Sequence, residues 1–120
     1  MGQISSDFSG AEDSVQQQVD GYNAHDIDAF MAPYSPDVVI TGFPGGNVMA
    51  RGIDEMRPIY QRLFANNPDV RCRVVKRMVQ GNIVVDQEEV TGYADGQIVR
   101  AIAIYEVHEG LIRRLWIATQ

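Results

Sequence analysis

The sequence predicts an α+β domain in which three helices lead into a run of long antiparallel strands. Two observations carry this prediction. Three segments before Pro68 hold apolar residues at helical spacing, whereas the residues after it alternate at strand spacing. Glycine-containing turns then cut that second half into four strand-length pieces. The chain has 120 residues, one domain by length. Burying roughly two-thirds of its unfolded surface gives a core with room for one internal cavity.

Residues 1–10 read as a flexible polar tail and residues 11–120 as the domain. Ser9 or Asp13 caps a helix running to about Ala24, with Val15, Val19 and Tyr22 in one stripe. Asp26 caps a short helix carrying Ile27, Ala29, Phe30 and Met31, and Pro33 and Pro36 limit it. Asp37–Thr41 reads as a strand, Phe43–Asn47 as a turn, and Val48–Arg51 as a second short strand. A third helix spans about Ile53–Ala65, with Met56, Ile59, Tyr60, Leu63 and Phe64 on one face and Pro58 near its start. Asn66-Asn67-Pro68 ends it. The four long strands are about Val70–Val79, Ile83–Gly92, Gln97–His108 and Leu111–Ala118. Gln80-Gly81-Asn82, Ala94-Asp95-Gly96 and Glu109-Gly110 connect them.

A net charge of −6 disfavours nucleic acid and anionic membranes as partners, because both need a basic footprint. No apolar run approaches about 18 residues, so no membrane span is expected. The start of the chain lacks the basic-then-apolar pattern of a signal peptide, which makes a cytoplasmic location the expectation. The one cysteine, Cys72, excludes an internal disulfide and reads as a small packing residue. His25 and His108 stand apart, without metal-ligand spacing. Trp116 reads as a packing or interface residue. No cofactor or metal is implied.

The unusual face is in the second long strand, where Val84, Asp86, Glu88 and Val90 point the same way. A two-residue turn at Gln80-Gly81 would set Arg77 opposite Val84, Val75 opposite Asp86 and Arg73 opposite Glu88, so that Arg73 and Arg77 share the face of both acids. Two readings stay open. The face is solvated and the charges are ordinary cross-strand pairs, or it is partly dry and one acid has a shifted pKa suited to acid–base chemistry.

The run Tyr22–Val38, the segment Arg51–Tyr60 and the segment Tyr105–Ile112 together resemble the nuclear-transport-factor-2-like superfamily. Within it the SnoaL-like and ketosteroid-isomerase-like proteins are most similar, over about residues 12–118. The resemblance implies a cone: a strongly curved antiparallel or mixed sheet wrapped on the three N-terminal helices, enclosing a pocket. It also implies a homodimer formed through the outer face of the sheet. The isomerases use a carboxylate base with a tyrosine and a protonated aspartic acid that hold an enolate. Aligned on this chain, the oxyanion tyrosine falls on Gln18, the base on Gly42 and the protonated acid on Ala103, so all three groups are missing. Two supporting tyrosines match at Tyr34 and Tyr60. The related limonene-epoxide-hydrolase pattern needs an acid where the last strand offers Ile117.

The expectation is therefore a pocket for a small apolar organic molecule. If it is catalytic, Asp86 or Glu88 transfers protons in an isomerisation, cyclisation or dehydration of a carbonyl compound. Arg77 or Arg73 tunes that acid or binds an oxyanion, and Tyr22, Tyr60 and Tyr105 line the pocket or donate hydrogen bonds. The alternative is a non-catalytic module for ligand binding or association.

Overall fold

The computed structural model describes the backbone of residues 2–119 and the side chains of residues 10–119. Its elements are α1 (Gly2–Asn23), α2 (Ile27–Met31), β1 (Tyr34–Gly42), β2 (Val48–Arg51), α3 (Gly52–Asn66), β3 (Arg71–Gln80), β4 (Ile83–Thr91), β5 (Val99–His108) and β6 (Leu111–Thr119). The strands form one mixed sheet in the order β2-β1-β6-β5-β4-β3. Only the β1–β6 pair is parallel. The sheet curls without closing, and the helices fill its concave side, as the α+β expectation required.

The backbone of α1 begins well before either expected cap, because nothing ahead of Gly10 breaks it and an interior glycine costs only about 1 kcal/mol. Ala11, Val15, Val19 and Tyr22 are buried along it, and Gln18 is buried among them. The turn into α2 is tight. His25 takes φ +54°, and the Asp26 carboxylate accepts from the Ala29 N–H at 3.1 Å. At this crossing α1 presents Gly21, where any Cβ would collide with the backbone of Ala29 and Phe30. His25 is a structural residue: its ring stacks on Phe64 at 5.1 Å and its Nε2 lies 2.7 Å from the Val70 carbonyl.

β1 starts three residues before the predicted strand. Tyr34 pairs with Ile112, and the ladder resumes only at Val39 and Arg114. Pro36, which has no N–H to offer, lies in the unpaired interval. That interruption is what hides the start of the strand in the sequence.

The β3–β4 hairpin corrects the expected pairing. The turn is Gly81-Asn82, with Gln80 opposite Ile83, so Arg77 faces Asp86. Gly81 at φ +59° supplies the positive φ that a two-residue turn with glycine first demands. A bulge between Val74 and Lys76 then reverses the phase of the strand. Arg77 points inward, whereas Arg73 lies opposite Glu89 on the outer face and bonds it at 3.3 Å. Arg73 therefore does not join the inward acids, contrary to the reading from alternation alone.

Candidate functional site

Between α1, α3 and the concave face of the sheet lies a cavity of about 420 Å³. α1 contributes Gln18 and Tyr22, β1 Tyr34, α3 Tyr60, β4 Glu88, and β5 Ala103 and Tyr105. Of the ten side chains singled out from the sequence, these seven line it. Asp86 and Arg77 lie one pair nearer the hairpin, and Arg73 lies outside. Phe30, Leu63, Val90, Val99, Leu115 and Ile117 make the rest of the wall largely apolar.

The two acids do different things. Asp86 is wholly buried, at 0% exposure, and Arg77 grips it with both prongs, Nε to Oδ1 at 2.7 Å and Nη2 to Oδ2 at 2.9 Å. The third guanidinium nitrogen, Nη1, donates to Gln16 Oε1 at 2.9 Å. This carboxylate is paired and desolvated, and its face is dry rather than solvated. Glu88 reaches the cavity wall, and among the described residues it has no cation of its own. Burial, and then the charge of Asp86, push its carboxyl up from an ordinary 4.5 to about 7. A hydrogen bond from the Tyr105 hydroxyl, the more distant Arg77 charge and the Cys72 thiol oppose that rise without cancelling it.

Gln18 organises the polar end of the cavity. The Tyr34 hydroxyl donates to Gln18 Oε1 at 2.9 Å. Gln18 Nε2 donates to the Tyr105 oxygen at 3.1 Å, and the Tyr105 hydroxyl donates to Glu88 Oε2 at 3.1 Å. Each hydroxyl has one proton, so the amide fixes the direction of the chain and aims the Tyr105 proton at Glu88. Burial holds the Tyr34 and Tyr105 hydroxyls well above their ordinary range, so both stay protonated.

Cys72 is a member of this site that alternation missed. It lines the cavity beside Glu88, and burial followed by the Glu88 and Asp86 charges pushes its thiol up to about 12. A thiol held that high stays neutral near pH 7. Its inward phase comes from the bulge, which left no signal in the pattern. Tyr93 was missed as well: it follows β4 and lines the cavity. The three isomerase positions also find their places. Gln18 and Ala103 line the cavity. Gly42 ends β1, and the Asn47 side chain occupies the space a side chain there would need.

A family model described as SnoaL-like domain matches residues 15–115. The chain belongs to the SnoaL-like domain family. Solved structures agree on the fold. An uncharacterised cystatin-fold protein from Novosphingobium aromaticivorans is 21% identical with TM-score 0.80, over 90% of this chain and 96% of that one. A candidate ketosteroid isomerase from Kribbella flavida is 17% identical with TM-score 0.82, over 95% and 80%. A candidate SnoaL-like polyketide cyclase from Jannaschia is 19% identical with TM-score 0.78, over 95% and 88%. Identities this low show the fold of the SnoaL-like domain and not its reaction. No curated protein matches the chain.

Proposed function

We propose that this SnoaL-like domain binds a small, uncharged, largely apolar carbonyl compound and catalyses proton transfer on it, with Glu88 as the acid–base group. The observation that carries the reading is the placement of Glu88. It is a carboxyl at the wall of an apolar cavity, without a cation of its own among the described residues, raised to about 7 where it both takes and returns protons near neutral pH. The chemistry is isomerisation, cyclisation or dehydration by way of an enolate. The described lining holds no Lys, Arg or His, which disfavours carboxylate and phosphate ligands. Arg77, the nearest guanidinium, is committed to Asp86 and Gln16. Asp86 thus serves as a charge that tunes Glu88, and the base role falls to Glu88 alone.

Enolisation can be assayed before the substrate is known. A panel of small cyclic and aryl ketones in D2O is followed by NMR for deuterium at the α carbon. The wild type should exchange at least one ketone well above the buffer rate, and Glu88→Gln should slow that exchange by about 10²–10⁴-fold. If the cavity binds ketones but exchanges none, the acid–base role is lost. The second reading, a ligand-binding module, would then stand. One observation favours it: Gln18 has both ends of its amide occupied by tyrosines and cannot replace the missing isomerase groups.

The sheet's outer face suggests the partner. Met78, Val85, Ile104 and Trp116 stand opposite one another in one row across four strands, and Met78 is 68% exposed. A second copy of the chain covering this row is the association we favour.

A further inference from the structure

An ionised carboxyl has two oxygens and no proton, so it can only accept hydrogen bonds. Once it takes a proton, one of the two oxygens carries it, and only an oxygen within reach of the ligand can pass it on. The two oxygens of Glu88 differ. Oε2 accepts from the Tyr105 hydroxyl at 3.1 Å. Oε1 has no hydrogen-bond partner among the described residues, and no buried side-chain oxygen lacks one, so Oε1 opens onto the cavity that Glu88 lines. Behind Oε2 stand three groups that are almost sealed: Tyr105 is 3% exposed, Gln18 4% and Tyr34 4%. The ionised Glu88 forces their polarity. Tyr105 donates to the carboxylate, so its oxygen takes the Gln18 Nε2–H at 3.1 Å, and the remaining amide oxygen takes the Tyr34 proton at 2.9 Å. A proton placed on Oε2 would meet the Tyr105 proton head on. To avoid it, Tyr105 must turn its proton to Gln18, the amide must flip, and the Tyr34 hydroxyl must give up its acceptor in a sealed site. A buried donor left without an acceptor is costly. A proton on Oε1 disturbs none of these bonds.

We infer that Tyr34 and Gln18 are positioning residues which, through Tyr105, confine the transferable proton of Glu88 to the oxygen that faces the cavity. The inference rests on the proton-transfer reading above and gives a role to the glutamine at the polar end of the cavity. Gln18 can transmit a direction because its amide has a donor at one end and an acceptor at the other. Both polar ends of Gln18, and the Tyr34 proton, are committed within the chain, so these residues act through Tyr105 and not on the ligand. In the reaction Oε1 takes the α proton while the C–H pair moves into the π system of the ligand, and the same atom returns it. Tyr34, Gln18 and Tyr105 keep their own protons throughout, so the chain is a fixed frame and not a proton wire. The other charged or titratable groups around Glu88 are Asp86 on its own strand, Arg77 and Cys72 on β3, and Tyr60 on α3. Among the described residues none of these four is hydrogen-bonded to Gln18 or Tyr34, so the chain can be altered by itself.

The chain is read by a carbon-13 NMR titration of the Glu88 carboxyl, which needs no ligand. Tyr34→Phe keeps the ring and removes the proton that pins the amide. The amide can then turn and accept from Tyr105, and a proton on Glu88 Oε2 gains the Tyr105 oxygen as its acceptor. The neutral form is favoured, so the Glu88 midpoint should rise by about half to one pH unit. In a Gln18→Met background the same substitution should move the midpoint by less than about 0.2 pH unit, because its route to Glu88 is gone. A thermal melt checks the fold of each variant. In the ketone exchange assay Tyr34→Phe should lower kcat by about three- to tenfold with little change in KM. An unmoved midpoint in Tyr34→Phe, or an equal shift in both backgrounds, overturns the inference, since Tyr34 would then be a wall residue only. A raised midpoint with unchanged kcat also overturns it, because a proton on either oxygen would then serve; both results leave Glu88 standing as the base. A wild-type midpoint near the ordinary 4.5 rather than about 7, or a wild type that exchanges no ketone, sinks the proton-transfer reading itself and this inference with it.

Discussion

Glu88 binds its proton more tightly in the folded chain than in the unfolded one, about 7 against an ordinary 4.5. Its contribution to stability is therefore fully present below about 4.5 and is lost as pH rises through about 7. Denaturant unfolding at pH 5 and pH 8 should show the wild type losing stability across that window. Glu88→Gln should lose less, and equal slopes in the two proteins would contradict the raised pKa. Asp86 poses the opposite case, a buried charge already matched. Asp86→Ala strands the Arg77 guanidinium and should cost about 3–5 kcal/mol, whereas Asp86→Leu with Arg77→Met should fall within about 2 kcal/mol of the wild type. A small loss in the single variant would mean that water reaches Arg77. That Val84, Asp86, Glu88 and Val90 share a face was legible, because strand alternation has a fixed period. Which acid is matched and which is free was not, because a cation's partner depends on register.

At the level of elements, period and punctuation were enough to place most of the chain. Asp26 caps its helix, Val48–Arg51 forms its strand, and the glycine turns fall where expected. The failures share one cause. Pro36 interrupts the β1–β6 ladder and the bulge at Val74–Lys76 reverses β3. Both are local irregularities that a neighbouring strand imposes, and no periodic pattern encodes them. That reversal moved Arg73 outside and Cys72 into the cavity wall. The α1–α2 crossing has its own test. Gly21→Ala forces a methyl into the Phe30 backbone, so it should destabilise by about 1–3 kcal/mol despite the better helix propensity of alanine. Unchanged stability would show that the two helices can separate there at little cost.

The whole molecule is an open curled sheet with edges at β2 and β3, and its convex side carries the Met78–Val85–Ile104–Trp116 row. An apolar row of this kind on a monomer is a liability unless covered. Light scattering at micromolar concentration should give twice the monomer mass, and Met78→Glu should return it to the monomer with the fold intact. A monomeric wild type would remove the dimer proposal without touching the cavity. Among the described residues no helix is long and apolar enough to cross a membrane.

The sequence by itself determined the class of fold and the shared face of Asp86 and Glu88, because these follow from local period and turn chemistry, while its motifs carried the resemblance to SnoaL-like proteins. Only the tertiary structure decided that Asp86 is held by Arg77 while Glu88 faces the cavity, and that Gln18 directs the Tyr105 proton. Those outcomes depend on which groups meet across elements distant in the chain. A one-residue bulge is enough to change them, and burial, the largest cause of the Glu88 shift, exists only once the sheet has curled over the helices.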